Sequence, residues 1–431
     1  MSEKAVALKK DRMLSLDVFR GLTIAGMILV NNPGTWSTIY GPLKHAPWHG
    51  WTPTDFIFPF FLFIVGVAMT FSFDRRLATG QDRMRIMEQV VRRTIIMFVL
   101  GLIMAGFPNW RLIAPFLGVI VGLGFLFTDE PPLSFSGSPA ARLRKALGWV
   151  ILAASFIYFI SDYGFFRESK LRIPGVLQRI SLCYFFTAII MFHTRERGRI
   201  IWAAALVAAY WVAMKAFQAP ADFVSTAPVD GRINDWIDVN ILGSHLYRER
   251  PDPEGLLSTL PSIATTLLGV LCGNWLHREK EPWGKLKFLL VWGVVLTIAG
   301  ALMHYAFPIN KKIWTPSYVV FMGGLSFLFL AFCYYVVDML GWKKWAYPFM
   351  VFGTNPIFVF FLSGIVARLM YRITIPIGIG KELALKPFLY EYAFLTWLSP
   401  LNASLAFAIA FNLFWLFVMI PLYENKVFIK I

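Results

Sequence analysis

Stretches of predominantly apolar residues recur along the whole chain, each near the roughly 20 residues a helix needs to cross a bilayer. They begin near Leu14, Asp55, Thr94, Leu112, Ala146, Ile173, Ile200, Thr259, Leu286, Ser317, Ala346 and Ala403. In hydrocarbon the backbone must satisfy its own hydrogen bonds, and apolar runs of this length do so as helices. The expected fold is therefore an all-α polytopic membrane protein with about 12 transmembrane helices. A single transmembrane domain is expected over residues 1–431. With 57% hydrophobic and 15% charged residues, an ordinary soluble domain is excluded.

The formal charge of +16 suggests a nucleic-acid partner until its placement is considered. Basic residues gather in short loops: Lys9, Lys10 and Arg12; Arg75 and Arg76 through Arg92 and Arg93; Arg142, Arg144 and Lys145; Arg195, Arg197 and Arg199; Arg278, Lys280, Lys285 and Lys287; Lys343 and Lys344. These loops alternate along the chain, as the positive-inside rule requires, with both termini cytoplasmic. The excess charge is topological, and no nucleic-acid partner is expected. Cys183, Cys272 and Cys333 sit singly in apolar stretches without a CxxC pair. Neither a disulfide framework nor a metal site is expected from them.

The densest chemistry lies between the first two spans. The first ends in Asn31-Asn32-Pro33-Gly34. A polar loop carries Lys44-His45-Ala46-Pro47-Trp48-His49-Gly50, and the second opens with Thr52-Pro53-Thr54-Asp55. Amide, imidazole and carboxylate groups at one membrane face are the equipment of an acyl-transfer site. Each has a plainer reading. Asn31 suits a helix stop as well as an oxyanion donor, and Asp55 suits a helix cap as well as the third member of a triad. His45 is the expected general base, with His49 the competitor. Asp17 and Arg20 are three residues apart, so they can meet on one helix face. Arg179 is a further intramembrane charge, and Asn355-Pro356 marks an expected helix break. Tyr371 to Asn402 reads as mixed, with room for a re-entrant or interfacial helix.

These residues resemble the heparan-α-glucosaminide N-acetyltransferase family. The resemblance runs through Leu16-Asp17-Val18-Phe19-Arg20-Gly21, Val30-Asn31, Lys44-His45-Ala46-x-Trp48-x-Gly50, and Asp55 with Phe58-Pro59. It continues through Leu171 to Arg179, Asp252 to Pro261, Lys312-x-Trp314-Thr315-Pro316-Ser317 and Gly353-x-Asn355. It implies a membrane acetyltransferase that uses cytosolic acetyl-CoA to acetylate a glucosamine-type amine on the opposite, periplasmic face. The catalytic histidine then falls on His45 and the nearby amide on Asn31, with Asp55 orienting the imidazole. Arg92, Arg93 and Arg179 are the expected contacts to the cofactor, and no metal is required. Two departures matter. The family's lysosomal luminal extension is missing, which predicts a bacterial member in the cell inner membrane. An extra hairpin, near residues 111–162, joins a family-like core of about 10 helices, so the amino-sugar acceptor is in doubt. The bilayer is the expected partner, and a homodimer is left open. The alternative from another class is a proton-coupled transporter of an amino sugar.

Overall fold

The computed structural model describes residues 13–127 and 139–429. Lys9, Lys10 and Arg12 lie outside them. Every expected span is helical. The helices are α1 (Leu14–Asn31), α2 (Ile57–Ala78), α3 (Arg83–Gly106), α4 (Trp110–Leu126), α5 (Pro139–Ser161), α6 (Tyr163–Glu168), α7 (Val176–His193) and α8 (Glu196–Ala216). They continue as α9 (Arg232–Leu242), α10 (Thr259–Arg278), α11 (Pro282–Met303), α12 (Pro316–Cys333), α13 (Tyr347–Thr354) and α14 (Pro356–Leu369).

Among the described residues, 10 helices are long and apolar enough to cross a membrane, or 11 if the bent pair α13–α14 is one span, where about 12 were expected. Two expected spans are irregular. Helix α4 has only 17 residues. At the Asn355-Pro356 step the chain bends by 87° between α13 and α14. Proline removes a helical N–H there, and the Asn355 side chain stops both halves by donating to Val427 O (2.9 Å) and accepting from Ile429 N (2.8 Å). The stretch after α14 departs from expectation. It forms an antiparallel hairpin of β1 (Thr374–Gly378) and β2 (Lys381–Ala384), then α15 (Leu385–Leu389) and a π-turn. Helix α16 (Pro400–Glu424) follows.

The chain divides into two compact units. The first comprises the described parts of Met1–Ala68, Leu268–Lys311 and Ser317–Lys430. Its α1 and α13 pack backbone to backbone, because Gly21 faces the Phe349 carbonyl and Gly353 faces that of Asp17. Small residues permit this approach between membrane helices. Arg20 Nη1 locks the contact, reaching Asp17 Oδ1 (3.3 Å) and Gly353 O (3.2 Å). The Asp17–Arg20 pair is thus a clasp between helices. Asp338 accepts from the first N–H groups of α1, at Leu14 and Ser15 (both 3.2 Å), and so caps a helix that lacks its own capping side chain. Phe19, Phe60 and Phe329 form the aromatic centre, with ring centroids 5.0–5.4 Å apart.

The second unit comprises Met69–Leu267 with Lys312–Pro316. Here α4 and α5 form a tight hairpin, with Gly118 against Ser155 and Gly122 against the Gly148 carbonyl. Arg111 closes one end by a bidentate pair with Asp162 (2.6 and 2.5 Å). Exposed residues such as Ile200, Ile201 and Trp202 on α8 are apolar, as a lipid-facing surface requires.

Candidate active site

Within the first unit, the loop from α1 to α2 is bound at several points. Gly50 takes φ +90°, a conformation that costs glycine little, and donates its N–H to Ile309 O at 2.8 Å. The Thr54 hydroxyl donates to Pro42 O at 3.1 Å. A 3₁₀ turn, Pro53–Phe56, leads into α2. Thr52 is its N-cap, and the carboxylate three residues later reaches back to the Thr52 N–H. This is the reciprocal half of a capping box.

That carboxylate is Asp55, whose side chain is 0% exposed. One oxygen, Oδ2, accepts from Ala46 N (3.1 Å) and Thr52 N (2.9 Å). The other, Oδ1, lies 2.6 Å from His45 Nδ1. A carboxylate only accepts hydrogen bonds, so Nδ1 carries the proton and Nε2 is left as the basic nitrogen. Tyr318, from α12, donates to the Asp55 carbonyl at 2.6 Å and fixes the backbone beneath the pair. The His45 side chain remains 46% exposed. The result is a rigid carboxylate holding an accessible imidazole in its base tautomer, the relation between the second and third members of a hydrolase triad.

The other expected residues fall elsewhere. His49 is absent from the partners of Asp55 and sets its ring edge-on to Trp48. Asn31 is the last residue of α1, exposed, and outside the hydrogen-bond network of His45 and Asp55. Its neighbour Asn32 is buried and donates to Ile28 O (2.8 Å) as a helix stop.

In the second unit, Arg92 and Arg93 lie half-buried on α3, and the Arg92 guanidinium sits 5.7 Å from the Phe127 ring centre. Arg179, the third residue expected at the cofactor, is held inside the protein. It is 1% exposed, with Nη1 donating to Pro253 O (2.8 Å) and Nη2 to Gly255 O (2.8 Å) and Ser258 Oγ (2.5 Å). A buried arginine donating to backbone carbonyls pins the loop before α10.

Arg172 braces the same loop through Asp252 and Glu254 (both 2.6 Å). Asp238, on α9, accepts from Leu256 N (2.8 Å) through Oδ1, while its buried Oδ2 has no partner. Burial pushes the Asp238 carboxyl up to about 7. Among the described residues, no three His, Cys, Asp or Glu side chains converge as a metal site would need.

Part of this was available earlier. Thr52-x-x-Asp55 has the spacing of a capping box, which orients the carboxylate as soon as a helix starts there. Nothing in the sequence announced Tyr318, which sits more than 260 positions away.

The fold and this pair define a class: a polytopic helical membrane protein with a histidine–carboxylate dyad in a braced loop before a span. The catalytic model of heparan-alpha-glucosaminide N-acetyltransferase matches residues 12–108, a stretch holding Asn31, His45, Asp55, Arg92 and Arg93 and ending before Arg179. The heparan-alpha-glucosaminide N-acetyltransferase of Mus musculus is 27% identical over 404 residues, covering 81% of this chain and 53% of the mouse protein. That of Homo sapiens is 27% identical over 406 residues, covering 81% and 52%. The chain thus spans about half the length of these relatives. Over these stretches the chain is similar to the heparan-alpha-glucosaminide N-acetyltransferases.

Proposed function

We propose that this protein is a membrane N-acetyltransferase that moves the acetyl group of acetyl-CoA to the amine of an amino sugar. The observation that carries the reading is the 2.6 Å contact between His45 Nδ1 and a buried Asp55 carboxylate. It leaves an exposed basic Nε2. The thioester is already activated, so the protein must supply a base and stabilise the oxyanion. The amine nitrogen bonds to the carbonyl carbon as His45 Nε2 removes its proton. The tetrahedral intermediate then collapses, the C–S bond breaks, and the thiolate takes the proton from the imidazolium. Asp55 stabilises that imidazolium without itself being protonated.

The finer assignments belong to this proposal. Asn31 is the candidate oxyanion donor, which requires it to turn toward the acyl carbonyl when the donor binds. Arg92 and Arg93 are the candidate contacts for the phosphates of CoA. The alternation of basic loops supports a periplasmic His45 and cytoplasmic arginines, in an inner membrane. Half-helix ends can coordinate ions in transporters, but Asn355 and the Val427–Ile429 segment occupy the break between α13 and α14. That weakens the transporter alternative.

The test is a CoA-thiol assay on purified protein, with and without glucosamine, with N-acetylglucosamine identified by mass. Release of thiol that depends on the amine supports the proposal. Uptake of glucosamine into proteoliposomes without acetyl-CoA, and no thiol release, would replace it with the transporter reading.

A further inference from the structure

The second unit holds a half-open cavity of about 50 Å³ where α7 and α10 begin, walled by Phe98, Leu182 and Leu242. Gln178 lines it and is only 3% exposed. Its carboxamide is cradled by two glycines: a Cβ at Gly101 or at Gly175 would collide with its oxygen. Among the described residues this side chain makes no hydrogen bond, and its amide atoms are not among the fully buried ones. Beside it, Arg179 Nε is buried and also unpartnered.

The charges around the cavity are already committed. Both terminal nitrogens of Arg179 donate to the 253–258 loop, and Glu254 pairs with Arg172. The uncommitted group that the cavity offers a ligand is one carboxamide, which donates and accepts, between apolar walls. A secondary amide on a slender apolar stem matches it. Its N–H donates to Gln178 Oε1 or its carbonyl accepts from Gln178 Nε2, one of the two, because in a trans amide they point to opposite sides. At about 50 Å³, where one water needs about 10–15 Å³, the cavity has room for a group of a few heavy atoms.

We infer that the Gln178 cavity binds the secondary amide of a ligand, through a chemistry independent of the His45–Asp55 pair. Two molecules of the proposed reaction carry that group: the pantetheine arm of the donor and the acetamido group of an acetylated amino sugar. The choice between them rests on the proposed function, but binding of the amide does not.

The experiment measures binding of pantetheine and of N-acetylglucosamine, separately, to the full chain in detergent by calorimetry. Gln178→Met keeps the side-chain volume and removes the hydrogen bonds. Leu242→Phe fills the cavity from the opposite wall and leaves Gln178 intact, which guards against misfolding of the first variant. Each variant should weaken one of the two ligands by about tenfold, the order expected for losing one neutral hydrogen bond, with the thermal midpoint retained. Loss confined to pantetheine assigns the cavity to the donor, and loss confined to N-acetylglucosamine assigns it to the product. If neither probe binds the wild-type protein, or either variant binds both probes as the wild type does, the inference is overturned. Because no turnover is needed, a protein that binds the amide yet never releases CoA thiol would sink the proposed reaction and leave the cavity's role standing.

Discussion

Replacing Asp55 by Asn separates the two tasks of this side chain. The amide oxygen can keep the bonds from Ala46 N and Thr52 N, now at 3.1 and 2.9 Å. The capping geometry then survives, and stability should change by no more than about 1 kcal/mol, the usual worth of a cap. The other end changes completely. Where Oδ1 now lies 2.6 Å from His45 Nδ1, an NH₂ group donates instead of accepting. The imidazole must answer with a bare Nδ1 and a protonated Nε2, which is the wrong tautomer for a base. An equivalent inversion in a hydrolase triad costs about 10⁴ in kcat. A loss of about 10³–10⁴-fold is expected here, or about 4–5.5 kcal/mol of barrier. The assay is steady-state CoA-thiol release with glucosamine, run beside acetyl-CoA binding and a thermal melt. The loss should appear in kcat with binding and melting unchanged. A variant that turns over within a few-fold of wild type would refute the tautomer argument, as would one whose lost activity tracks a lost fold.

Three further outcomes follow from packing and charge. Asp238 holds its proton up to about 7 because it is buried, so between about pH 4 and 7 the folded state binds more protons than the unfolded one. Stability should fall as pH rises through that window, by at most about 1.4 kcal/mol per unit, and Asp238→Asn should flatten the thermal midpoint measured from pH 4.5 to 8. Burial lowers the Lys386 ammonium to about 8, with Tyr371 and Phe407 rings 5.1 and 5.6 Å away. Stability then rises from about pH 8 to 10.5, and Lys386→Met should raise the melting point at pH 7 and abolish that rise. Gly21→Ala would drive a methyl into the Phe349 carbonyl and should cost on the order of 1–3 kcal/mol, as overpacking does, read as a lower melting temperature and poorer yield in detergent.

The spans were legible because length and apolarity alone report them, and the bilayer leaves helices as the only economical answer. Segments near that limit were not. The 17 residues of α4 and the bend at Asn355-Pro356 carry the same composition as the other spans, and only the helix ends and the bend set them apart. The β1–β2 hairpin escapes the sequence reading although Ile375, Ile377 and Ile379 alternate, because the residues between them are Pro376 and Gly378, which weaken a strand. The His45–Asp55 pair was within reach of the sequence, being ten residues apart and flanked by a capping signature. For Arg179 the sequence is silent on partners, because an intramembrane charge announces importance without saying what it holds. Only the fold brings it to the carbonyls of Pro253 and Gly255.

The central claim is that His45, held by Asp55, is the base that deprotonates the amine. The most direct measurement compares kcat for CoA release in His45→Ala and His49→Ala, with acetyl-CoA affinity measured in parallel. Loss of a general base costs about 10²–10⁴ in rate. His45→Ala should lose that much in kcat and bind acetyl-CoA as wild type does, while His49→Ala stays within a few-fold of normal. Normal turnover by His45→Ala would contradict the claim, whatever His49→Ala does.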